Sequence, residues 1–364
     1  MHYDLVFNFF KKSKQASNYN FVKLVNFDLL GEKELIDLTT SKEKQCVLLF
    51  APEPKHYFSH KKLPKQWIIF KNLLKEYKIK NCDFYITQFF AEKQYNEIIL
   101  DLNQSFDDCR FDTFYIDTPC LFTTTVNESI NLKNNDDLFL NECNLKFSHC
   151  NFTHRMHRKL FSKFLIKEKL IDNNLIAINN FEERKQLKIE EYQKENIKLL
   201  IGMDVKDGWD LNINFLNLFK NVPLSYTKHP DIDDNNFSPH LKFLHKASIN
   251  IVSESVFHYP YPWFSEKIVQ SLLSKRPFIL IGSAGSLESL KIKGFRTFEK
   301  IIDESYDKIY DPNKRLEKIM EIVLNLNNKS QEELKNMVND VGNDLLHNYS
   351  LMLEKIKHFE NKSK

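Results

Sequence analysis

The run Ser248-Ile-Asn-Ile-Val-Ser-Glu-Ser-Val256 is followed by Trp263-Phe-Ser-Glu-Lys-Ile268 and then by Pro277-Phe-Ile-Leu-Ile-Gly-Ser283. These pieces read as a strand, a loop carrying an acid and a lysine, a helix, a second strand and a glycine turn. Strand, helix and strand in that order make one half of a nucleotide-binding α/β domain. Pro260 and Pro262 disfavour helix at the residues before them, so the helix starts near residues 263–265 with Ser265 as its N-cap.

The same alternation runs through the chain. Gln45-Cys-Val-Leu-Leu-Phe-Ala51 is a buried-type strand stopped by Pro52-Glu-Pro54. Residues 3–10, 82–88, 145–152 and 295–298 read as further strands, and 111–122 contains another, ended near Pro119. Helical apolar spacing marks residues 66–77, 91–102, 154–169, 181–196 and 287–293, and two long amphipathic helices, 312–327 and 331–359, finish the chain. Segments 199–210 and 222–229 carry weaker patterns, and 230–238 is an Asp/Asn-rich loop. At 364 residues the chain is too long for one small core; two domains of roughly 150–200 residues each are expected. The Asn/Thr/Asp-rich stretch 123–137 is read as the link. The division is 1–140, an α/β domain, and 141–364, a second α/β domain with terminal helices.

Composition narrows the function classes. The 52 basic and 49 acidic residues leave a net charge of +3, which gives no support to bulk electrostatic binding of nucleic acid. No apolar run is long enough for a membrane span, and residues 1–7 lack the pattern of a cleaved signal. The cysteines (46, 82, 109, 120, 143 and 150) are spread singly, as for reduced thiols in a cytoplasmic protein. Seven Gly against 31 Phe, with abundant Asn, Lys and Ile, points to an AT-rich coding sequence such as that of a virus, a phage or a low-GC bacterium.

Several residues are candidates for chemistry. Lys267 sits in a first helical turn, where the dipole favours acids; a phosphate opposite it gives such a lysine a purpose. Glu266 suits hydrogen bonds from ribose or sugar hydroxyls, although a plain surface ion pair with Lys267 has the same spacing. Glu254 ends the strand at 249–253, and ligands of open α/β sheets bind beyond the carboxyl ends of strands. A capping or salt-bridged acid reads the same way. Arg155 and Arg158, with Lys159, form a compact cationic turn after strand 145–152, suited to a phosphate or simply to solvent. His154 and His157 match no complete zinc set, and no metal is expected. Glu53 follows an apolar strand between two prolines and is a candidate general base, or else an exposed loop acid. Asp231-Ile-Asp-Asp234 resembles a metal-binding DxD only weakly. Gly282-Ser-Ala-Gly285 lacks both GxGxxG and the Walker lysine, yet leaves backbone open to a ligand. Trp209 and Trp263 offer rings for a base or for the core.

Taken in order, Ile249-Asn-Ile-Val-Ser-Glu-Ser255, Trp263-Phe-Ser-Glu-Lys-Ile268, Pro277-Phe-Ile-Leu-Ile-Gly-Ser283 and Gly294-Phe-Arg-Thr-Phe298 resemble the donor-binding domain of glycosyltransferase family 10, the α-1,3-fucosyltransferases. Arg158 in His157-Arg-Lys-Leu-Phe161 matches that family's arginine at the start of the first helix of the domain. Ser255 stands where the family usually has Asn, Trp263 where it often has Tyr, and Ser265 replaces Thr. In the N-terminal half only Leu48-Leu-Phe-Ala-Pro-Glu53 is comparable, and it lacks the usual Thr-Gly before the Glu.

The resemblance implies a GT-B-like fold, two Rossmann-like αβα domains facing a cleft, with C-terminal helices. It implies that 1–140 is the acceptor side and 141–364 the donor-binding domain, that Arg158 and Lys267 bind the donor diphosphate, and that Glu254 and Glu266 hold ribose or the transferred sugar; Arg155, Ser255 and Trp263 are counted with them as donor-binding residues. Glu53 would be the base. The expected activity is inverting, metal-independent transfer of fucose or a similar sugar from a GDP-sugar to a hydroxyl of a glycan acceptor, with no cofactor beyond that co-substrate. Two other readings stand beside it: a sugar transferase acting on modified bases of viral DNA, and a nucleotide-sugar-binding protein without catalysis. Nothing in the sequence sets the oligomeric state.

Overall fold

In the computed structural model, residues 3–13, 15–19, 22–26, 38, 43–50, 65–88, 93–115, 143–151, 156–171, 174–178, 222, 227–228, 244–258 and 262–363 are described. The protein is mixed α/β, with two sheets built from parallel strands. It divides into two compact units, Met1–Leu121 with Lys355–Lys364, and Phe122–Glu354.

The first unit holds strands β1 (Val22–Asn26), β2 (Gln45–Phe50), β3 (Cys82–Gln88) and β4 (Cys109–Tyr115), all parallel in the order β1-β2-β3-β4. Helices α2 (Lys65–Glu76) and α3 (Lys93–Ser105) alternate with them. At the amino end of β3, buried Asp83 accepts from the Tyr19 hydroxyl and pairs with Lys44 Nζ at 2.9 Å.

The strand expected at residues 3–10 is instead a helix, α1 (Tyr3–Lys11). Its apolar residues also fit a helical face: Val6 and Phe10, one turn apart, are both buried. The Phe10 ring meets Phe114 at 4.8 Å and Tyr85 at 5.3 Å.

The second unit holds β5 (Leu145–Asn151), β6 (Leu175–Ile178), β7 (Thr227–Lys228), β8 (Ala247–Ser253) and β9 (Phe278–Ile281), in the order β7-β6-β5-β8-β9. Only the short edge strand β7 is antiparallel. Its helices are α4 (Met156–Lys167), α5 (Glu266–Leu273), α6 (Ser286–Ile292), α7 (Pro312–Asn327), α8 (Gln331–Asp340) and the first part of α9 (Gly342–Ser363), whose residues from Lys355 belong to the first unit.

Both faces of this sheet are covered. His149 and Ile251 pair across β5 and β8 and share a face; there the His149 ring meets Phe161 of α4 at 5.2 Å. Ser148 and Asn250 share the other face. There Asn250 Nδ2 donates to Ser274 Oγ at the end of α5, and Gln331 Nε2 of α8 donates to Ser248 Oγ. Every residue of β8 and β9 is buried, and the polar side chains on the second face, Ser148, Asn250 and Ser248, are satisfied by hydrogen bonds to one another or to the covering helices.

Two further expectations are corrected in this unit. Residues 295–298 form no strand: the Arg296 N–H and carbonyl bond the Asn348 side chain of α9, and the Phe298 N–H bonds Glu304. These side chains take the place of a neighbouring strand. The single helix expected over 331–359 is broken at Val341 (φ −112°) into α8 and α9. Among the described residues, no helix is long and apolar enough to cross a membrane.

Candidate functional site

From β5 the chain passes through α4 to β6 on one side, and from β8 through α5 to β9 on the other. The strand order therefore reverses between β5 and β8. Such a switch point opens a crevice outside the carboxyl ends of the strands, where open α/β sheets bind ligands. Both loops that leave this point carry residues singled out from the sequence: Arg158 begins α4, and Glu254, Glu266 and Lys267 flank the start of α5.

Ser265 is the N-cap of α5, in extended conformation, and its hydroxyl accepts from the Lys267 N–H. The buried Glu254 carboxylate accepts from the Ser265 N–H through both oxygens, each at 3.1 Å. Glu254 is 0% exposed, so its geometry is that of an anchor for the helix start. Arg158, 1% exposed, donates from Nη2 to the Ser253 carbonyl at 2.8 Å. His157 is paired through Nε2 with the Glu254 carbonyl at 2.9 Å, and its ring stacks on Phe257 at 5.2 Å. Arg158 and Glu254 thus tie α4, the end of β8 and the start of α5 into one rigid assembly.

The accessible part lies above them. Lys267 Nζ donates to the Glu266 carboxylate, and the two side chains keep 20% and 24% of their surface exposed. Burial tends to raise the Glu266 carboxyl, but Lys267 and Arg158 overcome it and hold the group below its ordinary value. The pair is thus partly buried, and Glu266 feels a cation, Arg158, besides its partner. Burial raises the Glu254 carboxyl, partly offset by Lys267 and the Ser265 N–H. Cys150, free and half-buried on β5, also feels Lys267, although burial pushes its thiol up to about 12. Burial, with Arg158 adding to it, takes His149 down to about 4 against the pull of the Ile251 carbonyl, so its imidazole is neutral at pH 7.

Ser255 is partly exposed, and Trp263 is buried at 6%. Glu53, Arg155, Trp209 and residues 231–234 lie outside the described residues. The glycine turn after β9 is already occupied at its helix start. Asp307 accepts from the Leu287 and Glu288 N–H groups of α6 at 3.0 and 3.2 Å, and the Gly285 N–H bonds the Asp307 carbonyl. The protein's own carboxylate fills the place that an anion takes in a phosphate-binding turn.

Arg315 was not singled out from the sequence. Buried in the first turn of α7, it donates to the carbonyls of Gly282 (3.2 Å), Ile309 (2.5 Å), Tyr310 (3.1 Å) and Phe257. The guanidinium also lies over the Phe257 ring at 4.4 Å. The signal that picks out Lys267, a cation in a first helical turn, applies equally to Arg315. Among the described residues, no cluster of His, Cys, Asp or Glu is suited to a metal ion.

No protein-family model matches the chain, and no curated protein matches it. Among solved structures it is similar to a UDP-forming α,α-trehalose-phosphate synthase from Burkholderia xenovorans, with a TM-score of 0.40 and 10% identity, over 91% of this chain and 75% of that one. It is similar to another such synthase from Burkholderia vietnamiensis, with a TM-score of 0.41 and 11% identity, over 99% and 78%. At these values the likeness assigns no chemistry to the chain.

Proposed function

We propose that the second unit binds a nucleotide-sugar at the β5/β8 switch point and that the protein is a glycosyltransferase of GT-B type. The observation that carries this reading is the meeting of Arg158, Glu254, Glu266 and Lys267 at the carboxyl ends of two central strands. Lys267 releases Glu266 to take the donor diphosphate, while Arg158 supports the site from within. The freed Glu266 carboxylate then accepts hydrogen bonds from donor hydroxyls.

The reaction we infer is a single displacement at the anomeric carbon. The acceptor hydroxyl oxygen bonds to that carbon as its proton passes to a carboxylate, for which Glu53 is our candidate. The bond from carbon to phosphate oxygen breaks, and the nucleoside diphosphate leaves with the electron pair. The configuration inverts. Proton removal of this kind contributes about 10²–10⁴-fold, and protein cations on the leaving group contribute further. On the family resemblance, the donor is a GDP-sugar such as GDP-fucose and the acceptor a glycan hydroxyl.

The test is a thermal-shift screen with GDP, UDP, CDP and their sugars, on wild type and Lys267→Ala. One nucleoside diphosphate, expected to be GDP, should raise the melting temperature of the wild type and do so far less in the variant. Equal shifts in both proteins, or none with any nucleotide in the wild type, would overturn the reading.

A further inference from the structure

The carboxyl edge of the second sheet displays an aromatic ring that the core does not use. Tyr310 is 83% exposed, and it is the one aromatic among the exposed large apolar side chains of the described residues. Tyr306, four positions earlier, is buried and accepts the Leu280 N–H. A tyrosine ring carries a large apolar face, and that of Tyr310 is open to solvent.

The backbone under the exposed ring is fixed. Arg315 Nη1 bonds the carbonyls of Ile309 and Tyr310. Directly behind, Asp311 caps α7 through the Asn313 and Lys314 N–H groups, and Pro312 sets its first turn. The same Arg315 holds the carbonyls of Gly282, just after β9, and Phe257, in the loop after β8. From Phe257 a stack onto His157, and from His157 a bond to the Glu254 carbonyl, lead to the start of α5. Tyr310 therefore stands on the edge that carries Glu266 and Lys267, joined to them through fixed contacts.

We propose that Tyr310 is the stacking platform for the nucleobase of the donor, an inference that rests on the nucleotide-sugar reading above. A nucleoside diphosphate presents an anion that needs cations and a planar heterocycle that needs an apolar face. Lys267, partly exposed, answers the first need, with buried Arg158 behind it. Among the described residues beside them, the rings of Phe257, Trp263 and Phe264 do not answer the second: they are 0%, 6% and 1% exposed. Stacking tolerates any base, because every base has a π face. The platform thus sets affinity for the nucleoside and leaves the choice of base to other contacts.

Calorimetric titration of GDP, UDP and inorganic pyrophosphate into wild type, Tyr310→Ala and Tyr310→Phe tests this. The better of the two nucleotides should bind Tyr310→Ala about tenfold more weakly than wild type, with Tyr310→Phe close to wild type. Pyrophosphate should bind all three alike. Unchanged nucleotide affinity in Tyr310→Ala overturns the platform and leaves the donor site standing. A wild type that binds nucleotide no more tightly than pyrophosphate also overturns it. If wild type binds none of the three probes, the donor-site reading itself falls, and the platform with it.

Discussion

Two neighbouring glutamates at the start of α5 titrate in opposite directions. Glu254 is held above its ordinary value by burial, and Glu266 below it by Lys267 and Arg158. Unfolded, both would titrate near about 4.3. A raised carboxyl stabilises the fold fully below the unfolded value, and that contribution is lost as pH rises through the folded value. A lowered carboxyl contributes above the unfolded value and loses it as pH falls through the folded one. Glu254→Gln carries no charge and still offers an oxygen to the Ser265 N–H. The stability of the variant minus that of wild type should therefore increase from pH 4 to pH 7.5 in urea unfolding. A difference that stays flat or shrinks over that range would contradict the burial argument. Arg315 makes a separate prediction at this scale. Its guanidinium satisfies carbonyls from three loops, and an uncompensated buried carbonyl costs about 1–3 kcal/mol. Arg315→Met should lower unfolding free energy by about 3 kcal/mol or more, with Arg315→Lys in between because ammonium lacks the fork.

Elements were legible wherever one physical signal had no rival. Strand β3 and helix α7 occupy the residues that apolar pattern and the Pro312 start assign to them. Residues 3–10 were ambiguous because their apolar run fits both a strand and a helical face, and only packing of Phe10 on Phe114 and Tyr85 separates the two. Residues 295–298 look like a strand by composition, yet their backbone bonds go to Asn348 and Glu304, partners remote enough in sequence to leave no local pattern. The site was legible in the same uneven way. Glu254, Glu266, Lys267 and Arg158 follow from strand ends and helix starts. The roles of Asp307 and Arg315 depend on which loops meet, and that is set by the fold. The turn before α6 gives a test at this scale. Gly285 has φ of 76°, and a Cβ there would meet nothing within 4 Å. Gly285→Ala should cost about 1–2 kcal/mol in urea unfolding, from backbone conformation alone. A neutral result would mean that the turn relaxes out of the left-handed region.

At the scale of the whole chain, its end returns to its beginning. Helix α9 starts within the second unit, and Lys355–Lys364 belong with the first. Phe359 is 4% exposed, and its ring meets Phe9 of α1 at 5.1 Å. Phe9 also meets Phe114 of β4 at 5.8 Å, so the terminal helix closes over a cluster formed by the first helix and an edge strand. Truncating a buried Phe to Ala costs about 3–5 kcal/mol through lost burial and the cavity left behind. The loss belongs to the unit that holds the ring, and domains of one chain open as separate cooperative units unless their interface is large. Phe359→Ala should therefore speed amide hydrogen exchange in α1 and β4 and leave protection in β8 and β9 at the wild-type level. Equal loss in both sheets would mean that the protein opens as one unit. Unchanged protection in α1 would mean that the terminal helix does not hold the first unit together.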